Sequence, residues 1–254
     1  MQKLKPEQYE ILADSLENQP TTVIPTSRLR TSMCSAYTYG VSPDFHAVVI
    51  FDSFCPDEPM GFGHDVNAIW NLLKYKQGWS CIGVDEVHAE SLGNLINRTT
   101  NSSIQYYGDI YHTLEKPAKY LHNKCVRLLT LNDKERISKA PKEIQGNGYL
   151  TIDSMLIDGI VAGAIVDNSL VTIAHIYAET DLYADIGVFT QEHYRGSGFA
   201  TAAASLVARE IQAKGKIPVW SCGEDNYASL KIAKKIGFTK VDRRTYVIPE
   251  TIIQ

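Results

Sequence analysis

The six residues Arg195-Gly196-Ser197-Gly198-Phe199-Ala200 combine a cation, two freely bending backbone positions and the start of a helix-forming run. The first turn of a helix leaves four N–H groups without internal partners and carries the positive end of the helix dipole. Glycines let the chain curl so that several amides face one point, with no side chain to block an approaching phosphate. The chemistry on offer is the binding of a pyrophosphate by backbone N–H groups, with Arg195 opening the turn. A tight strand-to-helix turn with no ligand would need similar glycines, so the surroundings decide.

Those surroundings supply a strand and a helix. YADIGVFT at 183–190 reads as a strand, and SGFATAAASLVAREIQAKG as a helix ending at Gly215, with Phe199, Ala203, Leu206, Val207 and Ile211 on one side. Upstream, VRLLTL, YLTIDSML, IVAGAIV and LVTIAHIY alternate or run apolar, with turn pairs at Asp158-Gly159 and Asp167-Asn168-Ser169. They read as antiparallel strands joined by tight connections. Downstream come a strand, PVWSC, a helix capped by Asn226 and ended by Gly237, and a last strand, VDRRTYVI. The order predicts an α+β (α/β) mixed sheet flanked by helices.

With these elements in place, the segment resembles the R/Q-x-x-G-x-G/A motif of the GNAT superfamily of acyl-CoA N-acyltransferases. ADIGVFTQEHYRGSGFATAAA looks like that family's fourth strand, pyrophosphate loop and third helix in unbroken order. Asn226, Ser229, Gly237 and Phe238 look like its second signature, so the resemblance covers most of 121–254. More narrowly, PVWSC with IAKKIGF is similar to the zwittermicin A resistance acetyltransferase group, whose members also carry an extra N-terminal half. The resemblance implies acetyl-CoA as co-substrate and no metal. It implies that Val188, Phe189 and Thr190 pair with the pantetheine amides. Arg195, Gly196, Ser197, Gly198, Ala200 and Thr201 would hold the pyrophosphate. Asn226 would lie near the pantetheine arm, which a plain helix cap also permits.

Acyl transfer to an amine needs a polarised carbonyl, a neutral amine and a route for the leaving thiolate. A backbone N–H on the fourth strand can meet the first need. An alkyl ammonium titrates near pH 10, roughly, so a base is useful at neutral pH. Asp185, three residues before Val188, is one candidate, where relatives often place a glutamate; His175 and Glu179 on the preceding strand are others. Many relatives carry a tyrosine acid seven residues after the asparagine, but here that position is Ala233. Either the thiolate leaves unassisted or another residue, such as Tyr246 or Ser221, substitutes. Cys222 suggests a covalent relay but is read as a small buried residue.

The first half repeats the order strand, Gly-x-Gly, helix, Trp-Ser-Cys strand, helix, tyrosine-bearing strand, which points to a degenerate copy of the same fold. Met60-Gly61-Phe62-Gly63-His64-Asp65 would occupy its pyrophosphate turn, with a carboxylate where phosphates should sit. That half is expected to bind no coenzyme and to shape the acceptor pocket. The polar segment 115–124 suggests a division into 1–120 and 121–254.

The 254 residues are 44% hydrophobic and 21% charged, with a net charge of −4. That balance gives no reason to expect nucleic acid as a partner. Five cysteines without a C-x-x-C pair suggest neither a disulfide framework nor a zinc site. No leader or membrane-length apolar run is evident, which points to a cytoplasmic protein. The leading expectation is N-acetylation of a small-molecule primary amine by direct attack in a ternary complex. A protein or peptide N-acetyltransferase and a catalytically impaired coenzyme-binding module are the alternatives.

Overall fold

The computed structural model describes residues 2–16, 18–40 and 44–250. The first half contains β1 (Gln2–Lys3), α1 (Tyr9–Ser15), α2 (Val23–Arg30), β2 (Cys34–Gly40), β3 (Phe45–Asp52), β4 (Cys55–Gly63), α3 (Val66–Leu73), β5 (Ile82–Asp85), α4 (Glu86–Thr100) and β6 (Ile104–Thr113). The second contains β7 (Val126–Leu128), α5 (Lys134–Ser138), α6 (Ile152–Asp158), β8 (Val161–Val166), β9 (Ser169–Glu179), β10 (Tyr183–Thr190), α7 (Phe199–Ala213), β11 (Ile217–Gly223), α8 (Tyr227–Ile236) and β12 (Thr239–Pro249). One succession therefore runs twice: strand, two helices, three strands, helix, strand, helix, strand. The fold is duplicated.

The chain forms two compact units, one of residues up to Ile110 with those from Asp242 on, the other spanning Tyr111–Val241. Strands β6 and β12 each cross from one unit into the other along the chain. In the first unit β1 to β4 are antiparallel neighbours, β4 runs parallel to β5, and β12 pairs antiparallel with β5 from Arg244 to Val247. Helices cover both faces. Ile69, Leu72 and Leu73 of α3 and Leu92 and Ile96 of α4 are buried with Ile82 and Val84. Leu12 and Leu29, from α1 and α2, are buried with Val48 and Ile50.

In the second unit β7, β8, β9 and β10 are successive antiparallel neighbours, and β10 is parallel to β11. Helix α7 lies on this sheet through Ala203, Ala204, Val207, Ala208 and Ile211, all fully buried. The alanines allow close approach, while burial of Val207 and Ile211 contributes about 1.5–3 kcal/mol each. Gln212 ties α7 to the preceding segment by donating to the carbonyls of Leu114 and Lys116 and accepting from Ala118 N.

Three expected strands need correction. YLTIDSML is helical from Ile152: Thr151 caps it by accepting from Ser154 N at 3.0 Å, so the local cap outweighs the apolar alternation. Asp158-Gly159 therefore ends a helix and does not join two strands, whereas Asp167 and Asn168, both at positive φ, do turn β8 into β9. Trp79-Ser80-Cys81 precedes β5, with Ser80 N held by the Asp57 carbonyl, while Trp220-Ser221-Cys222 lies within β11. Of VRLLTL only Val126–Leu128 is strand.

Candidate active site

Strands β10 and β11 pair only from Tyr183 to Asp185 against Ile217 to Val219. Beyond that point β10 stays bonded to β9 as far as Thr190, and its other edge is left without β11. A cleft of about 590 Å³ opens there, lined by Val188, Phe189, Thr190, Arg195, Gly196, Gly198, Ala200, Thr201 and Asn226. Every residue expected to contact the coenzyme thus borders one space except Ser197, which is in the same loop and exposed. Ser229 of the second signature also lines it, as do Tyr194, Phe199, Ala228, Lys231, Ile232 and Lys235, which were not anticipated. No local signal marks the two lysines: four residues apart on α8, they read in sequence as a solvated helix face.

The loop has the form its glycines suggest. Gly196 and Gly198 have φ of +82° and +79°, which side chains seldom adopt, and a Cβ at either would meet no atom within 4 Å. Gly198 is the N-cap of α7, and the first intrahelical bond runs from Ala202 N to the Gly198 carbonyl. The amides of Phe199, Ala200 and Thr201 therefore have no partner within the helix. Asn226 caps α8 by accepting from Ser229 N at 3.1 Å, and Ser229 Oγ accepts from Trp220 Nε1 at 2.9 Å.

The candidate bases lie on β9 and β10. Asp185 is buried, and Ser221 Oγ is 3.5 Å from its Oδ1, at the outer limit of hydrogen bonding. Glu179 is engaged by Lys216 at 2.6 Å. His175 is buried, with Nε2 2.9 Å from the carbonyl oxygen and 3.2 Å from the amide of Asn147. Gly187 is its register partner across the strands, and a Cβ there would meet the imidazole at 3.1 Å.

Tyr246 lies in the first unit on β12, opposite Gly83, and outside the residues that line the cleft. Burial holds its phenol above the usual tyrosine range, helped by the negative fields of Asp109 and Glu58. Ala233 is fully buried in the core between α7, α8 and the sheet. Cys222 is half-buried and packs against that same core.

The equivalent turn of the first half is closed. Only His64 and Asp65 separate β4 from α3, against residues 191–198 between β10 and α7. A Cβ on Gly63 would stand 2.3 Å from the His46 carbonyl oxygen, and one on Gly61 would touch Ile82 and Val84. Asp65 caps α3 by accepting from Ala68 N at 3.0 Å, so a carboxylate of the protein occupies that helix end.

A duplicated mixed sheet, parted strands and a glycine turn opening a helix define the class as an acyltransferase of the GCN5-related fold. The model of the GNAT acetyltransferase family matches residues 89–247, and the chain belongs to that family. A 62-residue stretch is 34% identical to an uncharacterized N-acetyltransferase, YdfB, of Bacillus subtilis; it spans 24% of this chain and 24% of that protein. A GCN5-related N-acetyltransferase-like protein from Streptococcus suis aligns with a TM-score of 0.67 at 18% identity, covering 96% of this chain and 99% of that one. A tandem GNAT protein from the clavulanic acid biosynthesis pathway aligns at 0.59 with 10% identity, covering 97% of each chain. At these identities the structural likenesses speak for the fold alone. No helix among the described residues is long and apolar enough to cross a membrane.

Proposed function

We propose that the protein transfers an acetyl group from acetyl-CoA to the primary amine of a small molecule, by direct attack in a ternary complex. The carrying observation is the cleft between the parted strands: its helix end is open at Gly196 and Gly198, and no carboxylate lines it. Such a site fits a diphosphate attached to an extended amide-bearing arm. The arm would add to the free edge of β10 at Val188, Phe189 and Thr190, and the diphosphate would take the amides from Gly196 to Thr201 with Arg195.

Acetyl-CoA, when bound, supplies the activated acyl group. A backbone N–H on the free edge of β10 donates to the thioester oxygen, stabilising the charge that develops there. Asp185 takes the amine's proton, directly or through water, as the C–N bond forms and the C–S bond breaks. Of the three candidate bases, all outside the residues that line the cleft, Asp185 is favoured by its place on β10 at the point where β11 parts from it. The thiolate departs without a phenolic acid, in keeping with Ala233 and with the tightly held proton of Tyr246. Holding amine and thioester together makes a relay through Cys222 unnecessary, since oriented groups reach effective molarities of about 10⁵ M or more. The resemblance of PVWSC and IAKKIGF to the zwittermicin A resistance group supports a small amine over a protein as acceptor.

The test is free-thiol release from acetyl-CoA across a panel of small amines and peptide N-termini, with intact-protein mass spectrometry of enzyme incubated without acceptor. Turnover with a small amine and no acetylated enzyme is expected. Turnover confined to peptides would overturn the acceptor class. A stoichiometric acetyl group on Cys222, with a Cys222→Ala variant that no longer turns over, would replace direct attack by a covalent relay.

A further inference from the structure

We infer that Lys231 and Lys235 form a second phosphate subsite, which reads the 3′-phosphate of coenzyme A and so separates the free coenzyme from other pantetheine thioesters. The inference rests on the coenzyme reading of the cleft and extends it to a residue pair that the family signatures leave unassigned.

Both lysines line the same cleft as the glycine turn, from the α8 side. Four residues apart on one helix, they present neighbouring like charges, an arrangement that weakens an isolated helix. Lys235 gains from the C-terminal end of the helix dipole, but Lys231 lies a turn earlier, where that gain has faded. Among the described residues neither lysine, nor Arg195, is joined to a carboxylate, and the cleft lining contains none. Three cations, Arg195, Lys231 and Lys235, therefore share one lining that holds no carboxylate.

The charge also exceeds what a diphosphate asks for. A diphosphate diester carries two negative charges, and the open amides of α7 with Arg195 already answer them. A terminal phosphate monoester adds roughly −1.5 to −2 at neutral pH, as two lysines would match. A phosphopantetheine arm on a carrier protein, or a coenzyme with a free 3′-hydroxyl, lacks that group.

The experiment is calorimetry with coenzyme A and with 3′-dephospho-coenzyme A, on the full chain and on a Lys231→Ala/Lys235→Ala variant. The wild type should favour coenzyme A by about tenfold or more, and the variant should lose that preference while binding the dephospho compound unchanged. A salt titration of the wild type, which needs no variant, should shrink the preference as ionic strength rises. Equal wild-type affinity for both compounds, or a variant that keeps the full preference, would overturn the subsite and leave the cleft assignment standing. A wild type that binds neither compound would remove the coenzyme reading, and the subsite with it.

Discussion

Asp65 accepts the amide of Ala68 at 3.0 Å, and so fills with the protein's own carboxylate the helix end that its counterpart in the second half, Gly198, leaves open. A cap of this kind stabilises α3 by about 1 kcal/mol and repels a phosphate at the same point. The first half thus has the helix of the second, with its N-terminus capped by a carboxylate.

One coenzyme site per chain follows. Calorimetry should give a stoichiometry of one, with the heat arising from the second-half cleft alone. Gly63→Ala forces a side chain at φ +103° against the His46 carbonyl, so it should lower stability by about 1–3 kcal/mol while leaving coenzyme affinity as it was. A stoichiometry of two, or affinity lost in that variant at temperatures where it remains folded, would contradict this.

Asp185→Asn keeps the shape and removes the proposed base. Turnover should fall by about 10²–10⁴-fold, with acetyl-CoA affinity unchanged and the rate regained partly at high pH, where the amine is already neutral. Loss of less than about tenfold would return the role to Glu179, His175 or water.

Tyr246→Phe should cost little turnover. A phenol whose proton is held above the ordinary range by burial gives it up reluctantly, and general-acid help, where present, contributes about 10²-fold or more. A drop of that size, with normal coenzyme binding, would restore Tyr246 as the acid.

Stability should fall in acid through Asp133. This buried carboxylate accepts from Arg127 at 2.6 and 2.8 Å, from Arg136 and from Thr130 N, and the Arg127 hydrogen bond is the largest cause of its lowered pKa. A lowered folded pKa means that the stabilisation is present above pH of about 4 and is lost as pH falls through the lowered value. Asp133→Asn should cost about 1.5–3 kcal/mol at pH 7 and progressively less toward pH 2, read by urea unfolding.

The sequence made the second half legible because its signals were local. Asp167-Asn168 turns, the Gly198 and Gly237 helix ends and the Asn226 cap each act within a few residues, and each lies where the pattern put it. What was missed depends on longer range. Strands β2 and β4 carry polar and exposed positions that hide their alternation, and α6 leaves Ile157 exposed, so its apolar residues misled. The parting of β10 from β11 after Asp185 depends on two segments more than thirty residues apart, roughly, and no window of sequence contains both. The two lysines of the cleft read as an ordinary solvated helix face until α8 is placed beside the glycine turn.

The most direct test of the account is acetyl-CoA calorimetry on the wild type, Gly198→Glu and Gly215→Glu. Both glycines have positive φ, +79° and +76°, and at both a Cβ meets open space, so the two variants carry equal backbone strain and equal charge at opposite ends of α7. Only Gly198 borders the cleft. Gly198→Glu should abolish binding, while Gly215→Glu should bind as the wild type does. Wild-type affinity in Gly198→Glu would contradict the assignment of that helix end to the coenzyme.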